Sequence, residues 1–273
     1  VSKRTASLLL HTALVAGALL TLFPLLWMLS ASFMSDGEAT TYPPHLVPHA
    51  ATLDHYRQLF VRLDLGRAFL SSTIIALTVT VGSVLFSSMA GYAFAKLRFR
   101  GRERMFGFLL VALIIPPQVG MLPLFLLMKQ LHLVNSYWGV IIPSLATVFG
   151  IFLIRQFMLS IPQELLEAAR IDGAGELRIY WSVVLPLARP ILATLATFMF
   201  MSTWNDFMWP LIVLSEQRHY TLPVSIANLV GEHAQDVELM MAGSVVTVLP
   251  VLVVFVVLQR YYIAGLMAGS VKG

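Results

Sequence analysis

The feature that most constrains this chain is a set of six apolar runs, each near the ~20 residues a helix needs to cross a bilayer. They lie at Leu8–Ala31, Phe69–Ala95, Met105–Met128, Tyr137–Ile154, Ile191–Leu214 and Leu239–Leu258. Four of them contain no Asp, Glu, Lys, Arg or His, while the first holds His11 and the fifth Asp206. Inside a bilayer every backbone N–H and C=O must be satisfied within the protein, and continuous apolar runs of this length do so as helices. Composition agrees: charged residues make up 12% of the chain, against ~25% in a soluble domain. The expected class is therefore an all-α membrane protein with six transmembrane helices, a single transmembrane domain over 1–273. Lys3 and Arg4 before the first run also fit a signal peptide. That run is longer than the ~7–15 residues of a signal core and no clean small-x-small site follows, so it is read as a retained helix.

The distribution of Lys and Arg sets an expected orientation. With the N-terminus inside, thirteen of the eighteen fall on the cytoplasmic side, including Lys96, Arg98, Arg100, Arg102 and Arg104 in one short loop. This bias predicts cytoplasmic N- and C-termini. The net charge of +4 is thereby explained by topology, and the basic loop is read as an anchor against anionic membrane lipid rather than a nucleic-acid patch. With no cysteine, disulfides, thiolate nucleophiles and Cys-based zinc sites are excluded.

Two outer segments, 32–68 and 215–238, are long and polar enough to meet a partner. His45 and His49 have the spacing of helical metal ligands, but Pro43, Pro44 and Pro48 forbid a regular helix there, so no metal is expected. Within the spans, Ser83, Ser87 and Gly91 form a small-residue stripe that lets helices approach closely. Pro116, Pro117, Pro143 and Pro250 interrupt helices and are read as kinks absorbed by neighbours, a moving hinge being the alternative.

The cytoplasmic segment 155–190 is too polar to cross the bilayer, yet it does not read as a loop. Ser160 and Gln163 have the form of a capping box with Pro162 in the first turn. A helix QELLEAARID follows, ended by an Asp172–Gly173 turn. A second short helix, ELRIYWSVVL, carries the interfacial aromatics Tyr180 and Trp181. A helix–turn–helix lying on the membrane face is either an amphipathic anchor or a knob for a groove on a soluble partner.

The spacing Glu167-Ala168-Ala169, Gly173, Val183 and Leu185-Pro186 resembles the EAA signature of ATP-binding-cassette importer permeases, with Val183 where the family has Ile. GYAFAKLRFRGR (91–102), IPPQVGMLPLF (115–125), TWNDFMWPL (203–211) and YYIAGLMAGSVKG (261–273) are similar to the carbohydrate-uptake branch, in the manner of the smaller permease subunit of the maltose importer. The resemblance implies a type I importer permease fold with a cytoplasmic coupling helix. It implies that Glu167, Ala168, Ala169, Gly173, Leu185 and Pro186 couple to an ATPase, with Glu167 facing a basic group there. The implied partners are a second homologous permease, two ATP-binding-cassette ATPase subunits and an extracytoplasmic sugar-binding protein met by Glu216, Arg218, Glu232 and Asp236. The tail Gly265–Gly273 would lie at the ATPase dimer. ATP and Mg would be bound by the partner, since this chain has no G-x-x-x-x-G-K-[ST] loop and is expected to hold no cofactor of its own. Maltose, trehalose, other oligosaccharides and glycerol-3-phosphate fit the branch about equally.

Asp206 lies within the fifth run, where an ionised carboxylate costs ~2.5–3.5 kcal/mol on insertion scales. With Trp204, Asn205 and Trp209 it is a candidate for the translocation pathway, the alternatives being a structural hydrogen bond between spans or an interfacial position near the outer surface. A proton-coupled secondary transporter would need further intramembrane acids and an inverted repeat. A membrane-embedded enzyme would need a motif such as H-E-x-x-H or G-x-S-x-G, and neither is present.

Overall fold

The computed structural model describes the backbone of residues 3–62, 64–232 and 236–270, with side chains over 4–61, 64–229, 236–257 and at 259. Among the described residues the fold is helical, without strands. The helices begin with α1 (Lys3–Ala31), α2 (Asp54–Arg57), α3 (Leu65–Lys96), α4 (Arg102–Ala112) and α5 (Pro117–Gln130). They continue with α6 (Tyr137–Ser144), α7 (Val148–Leu159), α8 (Gln163–Ile171), α9 (Glu176–Ile179) and α10 (Leu185–Leu187). The last four are α11 (Arg189–Trp204), α12 (Met208–Val213), α13 (Leu222–Glu232) and α14 (Val237–Ser270).

Four stretches are long and apolar enough to cross a membrane: Arg4–Ala31, Leu65–Lys96, Tyr137–Leu159 and Val237–Val257. Two bent pairs bring the number to as many as six if each pair is one span. The third expected run is one of them: α4 and α5 meet at 101°, at Pro116–Pro117, so the run is bent sharply rather than one straight helix. In the other pair, the stretch Glu176–Leu187 meets α11 at 80°, close to Ala188. The fifth expected run is itself split, because α11 ends at Trp204 and α12 starts at Met208. Pro250, by contrast, sits inside an uninterrupted helix. The sixth span begins early enough to take in Glu238.

The chain forms two compact units. The first comprises Val1–Gly66 and Ser225–Pro250. Its outer segment is tied to the start of α14, where the buried Glu238 carboxylate accepts the Ala39 N–H at 2.7 Å. Met34, Ala31 and Ala39 form a small core against Trp27, Val237 and Met241. His49 and His45 are 4.3 Å apart edge to face, and Glu38 takes up the His49 ring at 2.7 Å.

The second unit comprises Arg67–Val224 and Val251–Gly273. Its spine is α3, whose small residues Ser87 and Gly91 lie against α7, a partner the sequence did not name. A methyl group on Gly91 would stand 2.6 Å from Ile154 Cγ2, and one on Gly150 would stand 2.6 Å from Ser87 Oγ. Only small residues permit that approach, and in lipid such packing rather than water exclusion holds helices together. Thr147 starts α7 by accepting the Gly150 N–H at 3.1 Å.

Candidate functional site

The segment between α7 and α11 is built from local signals, with one departure from expectation. Ser160 does not cap α8: its hydroxyl donates back to Phe157 O at 2.7 Å, and Ser160 closes α7. The capping position belongs to Pro162, which makes no side-chain cap. A hydroxyl just after a helix can satisfy the carbonyl three residues back as readily as an N–H ahead, and here the longer α7 captures it. The far end of α8 is as expected. Gly173 has φ +80°, and its N–H donates to Arg170 O while Ala174 N–H donates to Ala169 O, both at 3.0 Å. These two bonds make a Schellman closure, which needs the left-handed conformation that glycine adopts without strain.

One face of α8 anchors it. Leu166 is fully buried in the main apolar cluster with Ile154, Tyr180 and Val184, and Ala169 and Leu185 pack against that cluster. Burying one leucine contributes roughly 1.5–3 kcal/mol. The opposite face offers Glu164, Leu165, Glu167, Ala168 and Ile171, all exposed, and Pro186 is exposed at the start of α10.

A polar network ties this segment to the end of α3. Tyr92 Oη donates to Glu176 Oε2 at 2.6 Å, and Arg170 Nε donates to Glu176 Oε1 at 2.7 Å. The Arg170 guanidinium first, and the Tyr92 hydroxyl second, hold the Glu176 carboxyl below the usual carboxylate range. Lys96 Nζ donates to Ile161 O at 2.6 Å. Tyr180 and Ser88 share a hydroxyl–hydroxyl bond of 2.7 Å. Between α8 and the residues after α3 runs a groove of about 570 Å³, lined by Lys96, Arg98, Glu167, Arg170 and Glu176 among others. Sequence reasoning missed Tyr92 and Glu176 as partners, although Tyr92 lies within the GYAFAKLRFRGR stretch.

The four pathway candidates are placed differently. Trp204 is buried, stacked on Phe200 at 5.6 Å and edge-on to Phe69 at 5.5 Å. Trp209 is buried and donates through Nε1 to Gly139 O at 3.1 Å. Asn205 is exposed but turns its amide back to Met201 O at 2.8 Å. Asp206 lies in the break between α11 and α12 and accepts the Trp209 N–H at 3.5 Å.

Of the outer residues, Glu216 and Arg218 are exposed and paired with each other. Their turn is clamped by Asn135, whose Oδ1 accepts from Ser215 N at 3.3 Å, Glu216 N at 3.1 Å and the His219 ring at 3.0 Å. Asn135 has φ +59°, a conformation that Asn tolerates, and no motif announced it. Asp236 accepts the Leu239 N–H at 2.9 Å and so caps α14. The side chain of Glu232 and residues 271–273 of the expected ATPase-facing tail lie outside the described residues.

A chain whose described residues are helical, with several apolar spans, a bend in one of them and an anchored knob beside another, has the architecture of a multi-pass membrane protein. The family described as "Binding-protein-dependent transport system inner membrane component" matches residues 83–266. The chain is 40% identical to the arabinooligosaccharides transport system permease protein of Halalkalibacterium halodurans, over 99% of this chain and 100% of that one. It is 33% identical to the lactose transport system permease protein of Rhizobium radiobacter, over 99% and 98%. With the sn-glycerol-3-phosphate transport system permease protein of Yersinia pestis it shares 32%, over 97% and 98%. Among solved structures, a bacterial ABC transporter involved in import of the acidic polysaccharide alginate matches with TM-score 0.84 and 28% identity, covering 96% of this chain and 98% of that one. The chain belongs to the binding-protein-dependent transport system inner membrane components and has the ABC importer permease fold. It is a permease subunit and not an enzyme; ATP hydrolysis falls to a separate subunit.

Proposed function

We propose that this chain is one half of the translocation pathway of a bacterial carbohydrate importer, paired with a second, homologous permease in the inner membrane. Two ATP-binding-cassette subunits, holding ATP and Mg, drive it from the cytoplasm, where both termini lie. An extracytoplasmic sugar-binding protein meets the outer segments, with Glu216 and Arg218 on the turn that Asn135 holds and with Glu232 and Asp236 beyond it. The relatives named for arabinooligosaccharides, lactose and sn-glycerol 3-phosphate favour a sugar or a polyol phosphate as substrate. They give no preference for maltose or trehalose.

The observation that carries this reading is the exposed face of α8, fixed at one end by the Gly173 closure and at its base by Leu166 and the Tyr92–Glu176–Arg170 network. A rigid knob so anchored can pass a push from a soluble partner into α3, a spanning helix. In this reading Glu167 and Ala168 meet the partner, and Ala169, Leu185 and Pro186 set the seat of the knob. Closure of the ATPase dimer would then move the two halves of the pathway between inward and outward access.

The test is uptake of the binding protein's own ligand by the assembled transporter in vesicles. Glu167→Lys and Gly173→Pro should each reduce uptake to background while the chain still inserts and is recovered in the membrane. Undiminished uptake in both variants would remove the coupling role.

A further inference from the structure

The arginines in the basic loop after α3, together with Arg155 of α7 packed beside it, are of two kinds. Arg102 and Arg155 are committed to the fold. Arg102 Nη1 donates to Leu97 O at 3.0 Å, and Arg155 Nε donates to Phe94 O at 3.2 Å with its guanidinium 4.0 Å above the Phe106 ring. Both also pair with Glu103, at 2.9 Å and 3.2 Å, so the one carboxylate of the loop is already neutralised. Arg98, Arg100 and Arg104 are exposed, and no hydrogen bond or ion pair holds them among the described residues.

These free charges border a concavity of about 560 Å³, lined by Arg98, Phe99, Gly101, Arg102, Glu103 and Arg104. Gly101, at φ +83°, turns the chain so that α4 rises directly from its edge. On α4, Arg104, Phe108 and Val111 fall at i, i+4 and i+7 and so share one face, and Phe108 is 84% exposed. A cationic hollow thus opens onto an exposed apolar stripe.

We propose that this hollow is a binding site for an anionic phospholipid, whose phosphate sits between Arg98 and Arg104 and whose acyl chain lies along Phe108 and Val111. Guanidinium groups match phosphate oxygens by paired hydrogen bonds. A nucleic acid or an acidic peptide would satisfy the arginines but leave the stripe bare. The placement next to α3 and to the groove beside α8 would let a bound lipid brace the base of the coupling segment.

The test uses the assembled transporter in detergent and native mass spectrometry, titrating phosphatidylglycerol or phosphatidylcholine. Uptake is not the readout, because Arg98 also lines the groove beside α8. One arginine near a membrane surface is worth about fivefold in anionic-lipid affinity. Arg98→Gln with Arg104→Gln should therefore weaken the tightest phosphatidylglycerol roughly 25-fold, and Arg104→Gln alone about fivefold. Phosphatidylcholine should bind weakly to every form. Arg189→Gln, which removes an exposed charge elsewhere, should leave the tightest lipid in place. Retention of that lipid by the double variant and by Arg104→Gln, or an equal loss in Arg189→Gln, would overturn the site. Displacement of the lipid by millimolar inorganic phosphate would assign the hollow to free phosphate instead and overturn the lipid reading.

Discussion

The α8 segment and the break between α11 and α12 both drew attention in the sequence, one by a spaced motif and the other by an acid flanked by tryptophans. The structure treats them in opposite ways. In α8 the marked residues Glu167 and Ala168 point outward while an unmarked leucine, Leu166, is fully buried. At the break the marked residues Trp204 and Trp209 are themselves buried, one in an aromatic stack and one hydrogen-bonded to Gly139 O. A conspicuous residue type therefore does not by itself mark a working surface. What distinguishes the two regions is whether the side chain is already spent on its own fold.

This contrast can be broken by substitution. The largest effect should come from Trp204→Ala, which empties the space between Phe69 and Phe200 and should cost roughly 3–5 kcal/mol. A thermal or detergent unfolding titration of the assembled transporter would show it as a clear loss of stability with KM for uptake unchanged. A large rise in KM with full stability would instead place Trp204 on the substrate path and erase the distinction.

Glu176→Gln should act at the other region and more mildly. It keeps the shape but removes the charge between Arg170 and Tyr92, and the side chain is 45% exposed, so solvent screening limits the loss to about 1 kcal/mol. The expected signature is a several-fold fall in uptake per ATP hydrolysed, measured in proteoliposomes, with little change in unfolding. An unchanged ratio would show that the network is only a brace.

The smallest effect concerns the outer segment. The His49 backbone N–H first, then the His49 ring and the Ser35 N–H, lower the Glu38 carboxyl from 4.5 to about 2. A depressed carboxyl contributes stability that is complete above its unfolded value and disappears as pH falls towards 2. Glu38→Gln should therefore reduce the order of the 35–49 segment at neutral pH and make it insensitive to acid between pH 4.5 and 2. Hydrogen exchange at the His49 amide reports on both.

Much of the fold was legible because membrane insertion depends on length, apolarity and charge, all of which are local. The Gly173 turn was legible for the same reason, since a left-handed closure selects glycine within one helical turn. The Ser160 capping box failed because its pattern suits two neighbouring helices equally, and only the observed end of α7 decides between them. Tyr92 and Glu176 stand 84 residues apart, and Asn135 and Glu216 stand 81 apart. No periodicity links such pairs.

The sequence by itself therefore determined that this is an all-helical membrane chain with a spaced EAA-like segment, because hydropathy, charge bias and turn chemistry act over a few residues at a time. Tertiary structure alone decided the 101° and 80° bends, which candidate side chains stay exposed, and which arginines of the 96–104 loop have no partner among the described residues. Those depend on which distant segments meet, and burial and pairing exist only once they do.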